Sequence, residues 1–234
     1  MRFERQIKLT GAAGQARLQN ARVTVIGAGG LGCPVLVYLA AAGVGAIRIV
    51  DGDAVSESNL NRQFLYHPDE VGKSKAVLAG HRLRQAYPKL HVETFAEAAD
   101  ENRAGVLCAG SDLVVCCVDS MEARYLIEHA ALSQGIPVID GGVGGADGFV
   151  LAAAPGGPCL GCMTGGAIGN AGAPQVLGAS AGMIGSMQAG LAVEVLLGGR
   201  ERFGQYTAIG FAPFSLTTFS IESTCDCQIC QKKY

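Results

Sequence analysis

Hydrophobic and polar positions follow two alternating periods along the first part of the chain. Short apolar runs at 22–26 and 46–50 predict buried strands, and the runs at 31–42 and 73–87 predict helices. Further strands are predicted at 91–95, 111–118 and 137–140, and a further helix at 121–134. Strands and helices that alternate at these lengths form a mainly parallel sheet with helices on both faces. We therefore expect an α/β fold.

The pattern changes after Gly141. A Gly/Pro-rich loop at 155–174 precedes an apolar run at 178–197, in which Ser, Gln and Glu side chains favour a buried helix over a membrane span. Apolar runs at 149–153, 206–211 and 215–221 predict an antiparallel extension of the sheet. No linker of disordered composition separates 1–141 from 142–234, so we expect one domain with two halves.

Composition limits the possible partners and compartments. The 234 residues carry a net charge of −2 and only 6% aromatic residues, which does not favour nucleic-acid binding. The N-terminus is charged from Arg2, unlike the apolar core of a signal peptide, so we expect a cytoplasmic protein without membrane attachment. In that reducing compartment, nine cysteines indicate metal ligands or small core residues rather than disulfides.

A glycine-rich turn joins the first predicted strand to the first predicted helix. Gly27, Gly29 and Gly30 let the backbone approach a phosphate, and the free N–H groups of the following helix attract anions. Asp51 ends the second strand, where a carboxylate can accept hydrogen bonds from a ribose. The sequence thus predicts a Rossmann-like nucleotide site, and this turn alone would suggest an NAD-dependent oxidoreductase.

Charged residues beyond this turn favour a triphosphate instead. Arg62 and Lys75 can neutralise phosphate charge, which a hydride-transfer enzyme does not need. Asp119, followed by Ser120, ends the fourth major strand, and a carboxylate there can hold Mg²⁺ against phosphate oxygens. Each charge by itself is as readily explained as a solvated surface group. Together they indicate Mg-ATP.

Two C-x-x-C pairs predict a metal site. Cys159 and Cys162 form one pair, and Cys227 and Cys230 form the other. Two such turns supply the four thiolates of a tetrahedral, structural Zn²⁺ site, whereas a redox C-x-x-C normally occurs once and near a helix start. Cys225 is either an alternative ligand or a reactive thiol.

The assembled motifs resemble those of the ThiF/MoeB/HesA family, the prokaryotic relatives of ubiquitin-activating enzymes. The resemblance extends over nearly the whole chain. It includes Arg5-Gln6, the glycine turn, Asp51 and Asp53, the segment 58–63 (SNLNRQ), Lys75, Asp119 and both cysteine pairs.

This resemblance implies a homodimeric ATP-dependent adenylyltransferase. Its substrate would be the C-terminal Gly-Gly carboxylate of a small ubiquitin-fold sulfur carrier, as in thiamine or molybdopterin synthesis. The half 142–234 would bind the carrier, a separate protein would donate the sulfur, and Arg5 would reach into the partner subunit's site. The catalytic residues expected are Arg5, Arg62, Lys75 and Asp119, and the nucleotide-binding residues expected are Gly27, Gly29, Gly30, Asp51, Asp53, Ser58, Asn59, Arg62, Lys75, Asp119 and Ser120.

Other functions remain open at this point. The same chemistry could activate another carboxylate, such as a peptide C-terminus or a modified tRNA nucleoside, although the lack of a basic patch disfavours the tRNA. A catalytically silent dimeric scaffold would not need Arg62, Lys75 and Asp119. An NAD-dependent oxidoreductase would leave those residues and the cysteine pairs without a role.

Overall fold

The chain forms one continuous eight-stranded sheet covered by helices. The computed structural model describes residues 2–167, 175–224, 227, 229 and 230. The strands are β1 (Arg22–Ile26), β2 (Ala46–Val50), β3 (His91–Phe95), β4 (Leu113–Cys116), β5 (Val138–Gly144), β6 (Asp147–Ala153), β7 (Gln205–Phe211) and β8 (Phe214–Ser220). The helices of the described chain are α1 (Glu4–Asn20), α2 (Gly32–Ala42), α3 (Lys75–Ala86), α4 (Ala104–Cys108), α5 (Met121–Leu132), α6 (Leu160–Thr164) and α7 (Gly178–Leu197).

The strand order is β3-β2-β1-β4-β5-β6-β7-β8. The first five strands are parallel, and β6, β7 and β8 add to them in antiparallel pairs. The predicted α/β fold with an antiparallel extension is therefore confirmed. The chain runs outward from β1 through β2 to β3 and then returns to β4 on the other side of β1. This reversal places a topological switch point between β1 and β4, where Ile26 pairs with Cys116.

Helices cover both faces of the sheet because strand side chains alternate between them. One core layer contains Val25 and Val115 with apolar residues of α2, α3 and α7. The other contains Ile26 and Val114 with apolar residues of α4 and α5, and it includes three of the paired cysteines. The sheet thus separates two hydrophobic cores.

Helix α7 packs one face against the rest of this fold. In the described part of the chain it alone has the length and apolarity that a membrane-crossing helix needs. It packs against α2 and against strands β5 and β6, and it buries Ser180, Ile184 and Gln188. The predicted helix is present and one of its faces is buried, while most of its other residues are only partly buried.

The pattern missed three helices, α1, α4 and α6, and it misjudged several element ends. Helix α6 lies within the loop that was predicted at 155–174. Helix α1 was not assigned because only Gln15 and Leu18 are buried along its 17 residues, so few apolar positions mark it, and its backbone leaves the helical conformation at Gly11. Helix α4 is five residues long, which is too short for a periodic signal. Strand β4 is also shorter than the predicted 111–118.

Candidate functional site

A cavity of about 350 Å³ opens at the switch point between β1 and β4. Open α/β sheets bind ligands at this position, beyond the carboxyl ends of the parallel strands. Eight of the sequence-predicted residues contribute to its wall: Gly27, Gly29, Gly30, Asp51, Asp53, Arg62, Lys75 and Asp119. The fold therefore brings together residues that lie as far apart along the chain as Gly27 and Asp119.

The glycine turn is closely packed against the end of β4. Gly27 has φ +98°, and a Cβ atom there would lie 2.6 Å from the carbonyl oxygen of Cys117. Only glycine combines this backbone conformation with this contact. Helix α2 begins at Gly32, directly after the turn, so its unpaired N–H groups and its partial positive charge are close to the cavity.

Asp51 connects the turn to the loop after β2. Its carboxylate accepts hydrogen bonds from the backbone N–H groups of Ala28 at 2.7 Å and of Asp53 at 2.8 Å. Burial raises the pKa of Asp51, although both N–H donors act to lower it. The residue predicted to bind a ribose therefore also fixes the geometry of the turn.

Lys75 is a buried cation at the start of α3. Only 6% of its side chain is exposed, and its Nζ lies 2.8 Å from Oδ2 of Asp53, which is 74% exposed. The backbone N–H of Lys75 also donates to the carbonyl of Asp53 at 3.0 Å. An ammonium group held in this way has little freedom left to lose when it contacts an anion in the cavity.

Arg62 lies against Gly30 of the turn. A Cβ at Gly30 would be 3.4 Å from the Arg62 side chain, whose Nη1 donates to the Ser58 carbonyl at 2.9 Å and to Asn61 Oδ1 at 2.8 Å. Among the described residues, Arg62 has no carboxylate partner. Its positive charge is therefore available to a ligand.

Asp119 supplies an exposed carboxylate to the cavity wall. It follows β4 by three residues and precedes α5. Carboxylate oxygens are the ligands that Mg²⁺ prefers, and a single protein carboxylate together with substrate phosphates is a common Mg²⁺ environment. The donor chemistry at this position fits Mg²⁺.

Four other predicted residues lie outside the cavity wall. Ser120 is the N-cap of α5, where its Oγ accepts from Ala123 N–H at 3.2 Å. Ser58 and Asn59 lie in a short 3₁₀ turn, and Ser58 hydrogen-bonds Ser56. Arg5 is exposed on α1. Ligand contacts by these four residues stay predictions.

Sequence reasoning missed Arg124, a buried cation in the cavity wall. It pairs with the fully buried Asp140 and donates to the carbonyl of Gly141 at 2.6 Å and to the carbonyl of Val118. These contacts connect the loop that carries Asp119 to strand β5. Arg124 belongs to no sequence motif. Its partners lie 6 to 17 positions away along the chain and meet it only in the folded protein.

The two cysteine pairs converge beside the second core layer. Cys159 Sγ lies 3.6 Å from Cys227 Sγ, and Cys162 Sγ lies 3.5 Å from Cys230 Sγ. All four Sγ atoms lie within 4.8 Å of one another. A tetrahedral Zn²⁺ with Zn–S bonds of about 2.3 Å needs S–S separations of about 3.8 Å. The arrangement therefore fits zinc.

Helix α5 supports both turns of this cluster. The carboxylate of Glu128 accepts from the N–H of Leu160, next to Cys159, and His129 Nδ1 donates to the carbonyl of Ile229, next to Cys230. Such contacts orient the ligands of a metal site. Cys225, the fifth cysteine of this region, is outside the described residues.

The fold and the cavity define a class of protein. A parallel sheet with a glycine turn at its switch point, lined by Lys75, Arg62 and Asp119 and joined to a four-cysteine cluster, defines a Rossmann-like α/β protein with a site suited to anions. A family model described as "ThiF family" matches residues 3–229. The chain belongs to the ThiF family, as its motifs predicted.

Curated relatives resemble the chain over almost its full length. It is 35% identical to a "SAMP-activating enzyme E1" of Haloferax volcanii, over 98% of this chain and 88% of that protein. It is also 35% identical to a "Sulfur carrier protein adenylyltransferase" of Thermus thermophilus, over 98% of this chain and 90% of that protein. An "Adenylyltransferase and sulfurtransferase UBA4" of Vanderwaltozyma polyspora is 34% identical over 97% of this chain, which spans 56% of that longer protein.

Solved structures share the fold. A crystal structure of E. coli MccB with succinimide has a TM-score of 0.88 at 20% identity. The match covers 99% of this chain and 74% of the MccB chain. The structure of E. coli MccB with ATP has a TM-score of 0.84 at 21% identity, and the match covers 98% of this chain and 74% of the MccB chain. At this level of identity the comparison concerns the architecture alone.

Proposed function

We propose that this chain is an ATP-dependent adenylyltransferase that activates the C-terminal Gly-Gly carboxylate of a small ubiquitin-fold sulfur-carrier protein. Membership of the ThiF family and the names of its relatives support this activity. The observation that carries the proposal is the cavity itself, where a glycine turn, a helix N-terminus, Lys75, Arg62 and Asp119 converge.

In the proposed reaction, a carrier carboxylate oxygen attacks the α-phosphorus of ATP. One O–P bond forms, the bond between the α-phosphorus and the bridging oxygen to the β-phosphate breaks, and pyrophosphate leaves. The carboxylate is already ionised, so no general base is required. Lys75 and Arg62 offset the negative charge of the phosphates, and Mg²⁺ held by Asp119 would supply further charge neutralisation.

The other predicted residues complete the proposal. Gly27, Gly29 and Gly30 let the phosphates approach the backbone, Asp51 binds the ribose, and Asp53 orients Lys75. Ser58, Asn59 and Ser120 contact the nucleotide once it is bound. Arg5 acts in the partner subunit of a homodimer, which agrees with its exposure on α1 and with its absence from the residues that line the cavity of its own subunit.

The remaining parts of the chain receive structural and partner-binding roles. The cysteine cluster holds a structural Zn²⁺, and the reduced thiolates that it needs agree with a cytoplasmic location. The half 142–234 binds the carrier, and a separate protein donates the sulfur. The antiparallel strands suit this role because β8 is exposed along its whole length.

ATP–pyrophosphate exchange tests the proposal directly. We expect exchange that requires a purified carrier ending in Gly-Gly and that disappears when the last glycine is deleted from the carrier. Lys75→Met and Asp119→Ala should each reduce exchange by roughly 100-fold or more, because each removes charge stabilisation of the transition state.

Lys73→Ala is the matched control, since Lys73 is an exposed lysine two residues before Lys75 and lies outside the cavity wall. It should exchange at the rate of the unaltered protein. Exchange that is absent with every Gly-Gly carrier, or unchanged in Lys75→Met, would contradict the proposal.

A further inference from the structure

The Arg5-Gln6 motif near the N-terminus contains one residue, Gln6, to which the proposed function gives no role. Gln6 is partly buried, and its Nε2 donates to the Ala42 carbonyl at 2.8 Å and to Oε1 of Gln15 at 2.8 Å. Gln15 is 3% exposed and donates to the same carbonyl at 3.1 Å. Two amide side chains therefore join α1 to the C-terminal end of α2.

The residues that precede Arg5 are held on the same subunit by two other contacts. Arg2 Nη2 donates to the carbonyl of Ala86, the last residue of α3, at 3.1 Å. A Cβ at Gly43 would lie 2.6 Å from the Phe3 ring, so the absence of a side chain at Gly43 leaves room for that ring. The chain on both sides of Arg5 is therefore attached to the body of its own subunit.

Arg5 itself differs from these neighbours. It is exposed, and its side chain makes no hydrogen bond or ion pair with the residues that the structure describes. Gly11, with φ 69° and ψ 167°, interrupts α1, so the rest of the helix does not fix the direction of residues 4–10. The amide contacts of Gln6 do so instead. A guanidinium group on a backbone fixed in this way loses less freedom when it binds an anion.

We infer that Gln6 is a positioning residue, whose hydrogen bonds to α2 and to Gln15 place Arg5 of the same chain for its action in the nucleotide site of the partner subunit. The inference rests on the proposed adenylyltransferase activity and on the proposed role of Arg5. It adds that Gln6 serves the site of the other subunit rather than that of its own. Gln6 is not among the residues that line the nucleotide cavity of its own chain.

Gln6→Met tests the inference first in a dimer of identical chains. Methionine has nearly the length of glutamine but no amide, so Arg5 loses its support. We expect carrier-dependent ATP–pyrophosphate exchange to fall at least about tenfold, as it should in Arg5→Ala. The melting temperature should fall by only about 2–6 °C. Gln19→Met is the matched control, because Gln19 is an exposed glutamine of the same helix, and it should exchange at the unaltered rate.

Mixed dimers then separate a role in the partner's site from a role in the chain's own fold. Two chains with different affinity tags are co-expressed, and only dimers that retain both tags are assayed. Gln6→Met paired with Lys75→Met has one complete site, because the Lys75→Met chain supplies a correctly placed Arg5 to it. This pair should regain about half of the unaltered exchange rate. Gln6→Met paired with Arg5→Ala should regain none, because neither site receives a correctly placed Arg5.

The opposite pattern would overturn the inference. If Gln6 supports only the site of its own chain, the pair with Lys75→Met stays inactive and the pair with Arg5→Ala regains half of the rate. Exchange by Gln6→Met at the unaltered rate would overturn it as well. Should Gln6→Met not fold, Gln6→Asn takes its place in the same pairs, because its shorter side chain does not reach the Ala42 carbonyl.

A reference pair separates this inference from the proposed function. Arg5→Ala paired with Lys75→Met should also regain about half of the unaltered rate. If it does and the Gln6→Met pair does not, the inference alone is overturned. If the reference pair stays inactive, or if no dimer retains both tags, the proposed role of Arg5 fails and the inference fails with it. No exchange by the unaltered protein with any carrier would remove both together with the proposed activity.

Discussion

At the scale of single residues, the backbone of the glycine turn is restricted by two separate effects. One is the positive φ of Gly27, which disfavours any side chain. The other is its contact with the Cys117 carbonyl, where a Cβ would lie 2.6 Å from the oxygen. Gly72 shows the first effect without the second, since it has φ +87° but no atom within 4 Å of a Cβ position.

The pair Gly27→Ala and Gly72→Ala should therefore separate strain from steric overlap. We expect Gly72→Ala to cost about 1–2 kcal/mol of unfolding free energy, from the left-handed conformation alone. Gly27→Ala should cost about 2 kcal/mol more, because β1 and β4 must move apart to relieve the overlap. Urea unfolding of both variants measures the difference, and equal losses would contradict the close packing of the turn.

At the scale of secondary structure, an ion pair fixes the loop before α3. Glu70 accepts from Arg82 Nη2 at 2.6 Å and from His67 N–H at 2.9 Å. Burial opposes ionisation of Glu70, but the hydrogen bonds from Arg82 and from His67 N–H, together with the charge of Arg82, lower the pKa of Glu70. This contact links the loop before α3, which leads to Lys75, to the body of helix α3.

Arg82→Met should reveal this pair through its pH dependence. Because the folded state lowers the pKa of Glu70, the stabilisation is present above the ordinary carboxyl pKa and is lost as pH falls through the lower, folded value. We expect Arg82→Met to cost about 1 kcal/mol at pH 7. Its difference from the unaltered protein should shrink below about pH 4.5.

Arg202→Met is the control for this prediction. Arg202 also pairs with a glutamate, Glu194, but 44% of the Arg202 side chain is exposed, so water screens the pair. We expect no measurable change in stability from pH 3 to pH 7. A loss for Arg82→Met that is independent of pH would show that packing of the Arg82 stem, rather than its charge, stabilises the loop.

The sequence predicted the elements with strong periodicity and missed those without it. Strands β1, β2 and β3 have the predicted ends because each is a short apolar run between turns. Strand β5 was predicted to end at Asp140 but continues to Gly144, since its pairing with β6 extends it through glycines that carry no hydrophobic signal. Helix α1 had no apolar period and was not predicted.

At the scale of the whole molecule, the sheet and helix α5 connect the two halves of the chain. Strand β5 pairs with β4 on one side and with β6 on the other, so no sheet edge separates the halves. Helix α5 packs on the parallel strands and also supports the turns that carry the cysteines. We therefore expect one cooperative unit.

Zinc removal should then destabilise the entire domain. We expect about one zinc per chain by elemental analysis, and none in Cys162→Ser. Loss of the metal should lower the melting temperature by roughly 10 °C, because metal binding contributes to the folding free energy. The unfolding curve should keep a single transition. A second transition, with the nucleotide half unfolding at its original temperature, would contradict the single-domain interpretation.

Cys33→Ala is the matched control for the zinc measurement. Cys33 is fully buried on α2, where burial raises the pKa of its thiol to about 12, and it lies outside the four-cysteine group. Its replacement should leave the zinc content unchanged. Zinc that persists in Cys162→Ser, or that disappears in Cys33→Ala, would contradict the assignment of the ligands.

The sequence by itself determined the features that depend on near neighbours along the chain. These are the strand and helix order, the glycine turn after β1, and the two C-x-x-C turns, because backbone propensity and short spacings act over a few residues. The tertiary structure alone decided which distant groups meet. It buried Arg124 against Asp140, and it left Oε1 of Gln63 without a hydrogen-bond partner among the residues that the structure describes. Such contacts depend on how the elements pack, and packing is a property of the whole chain.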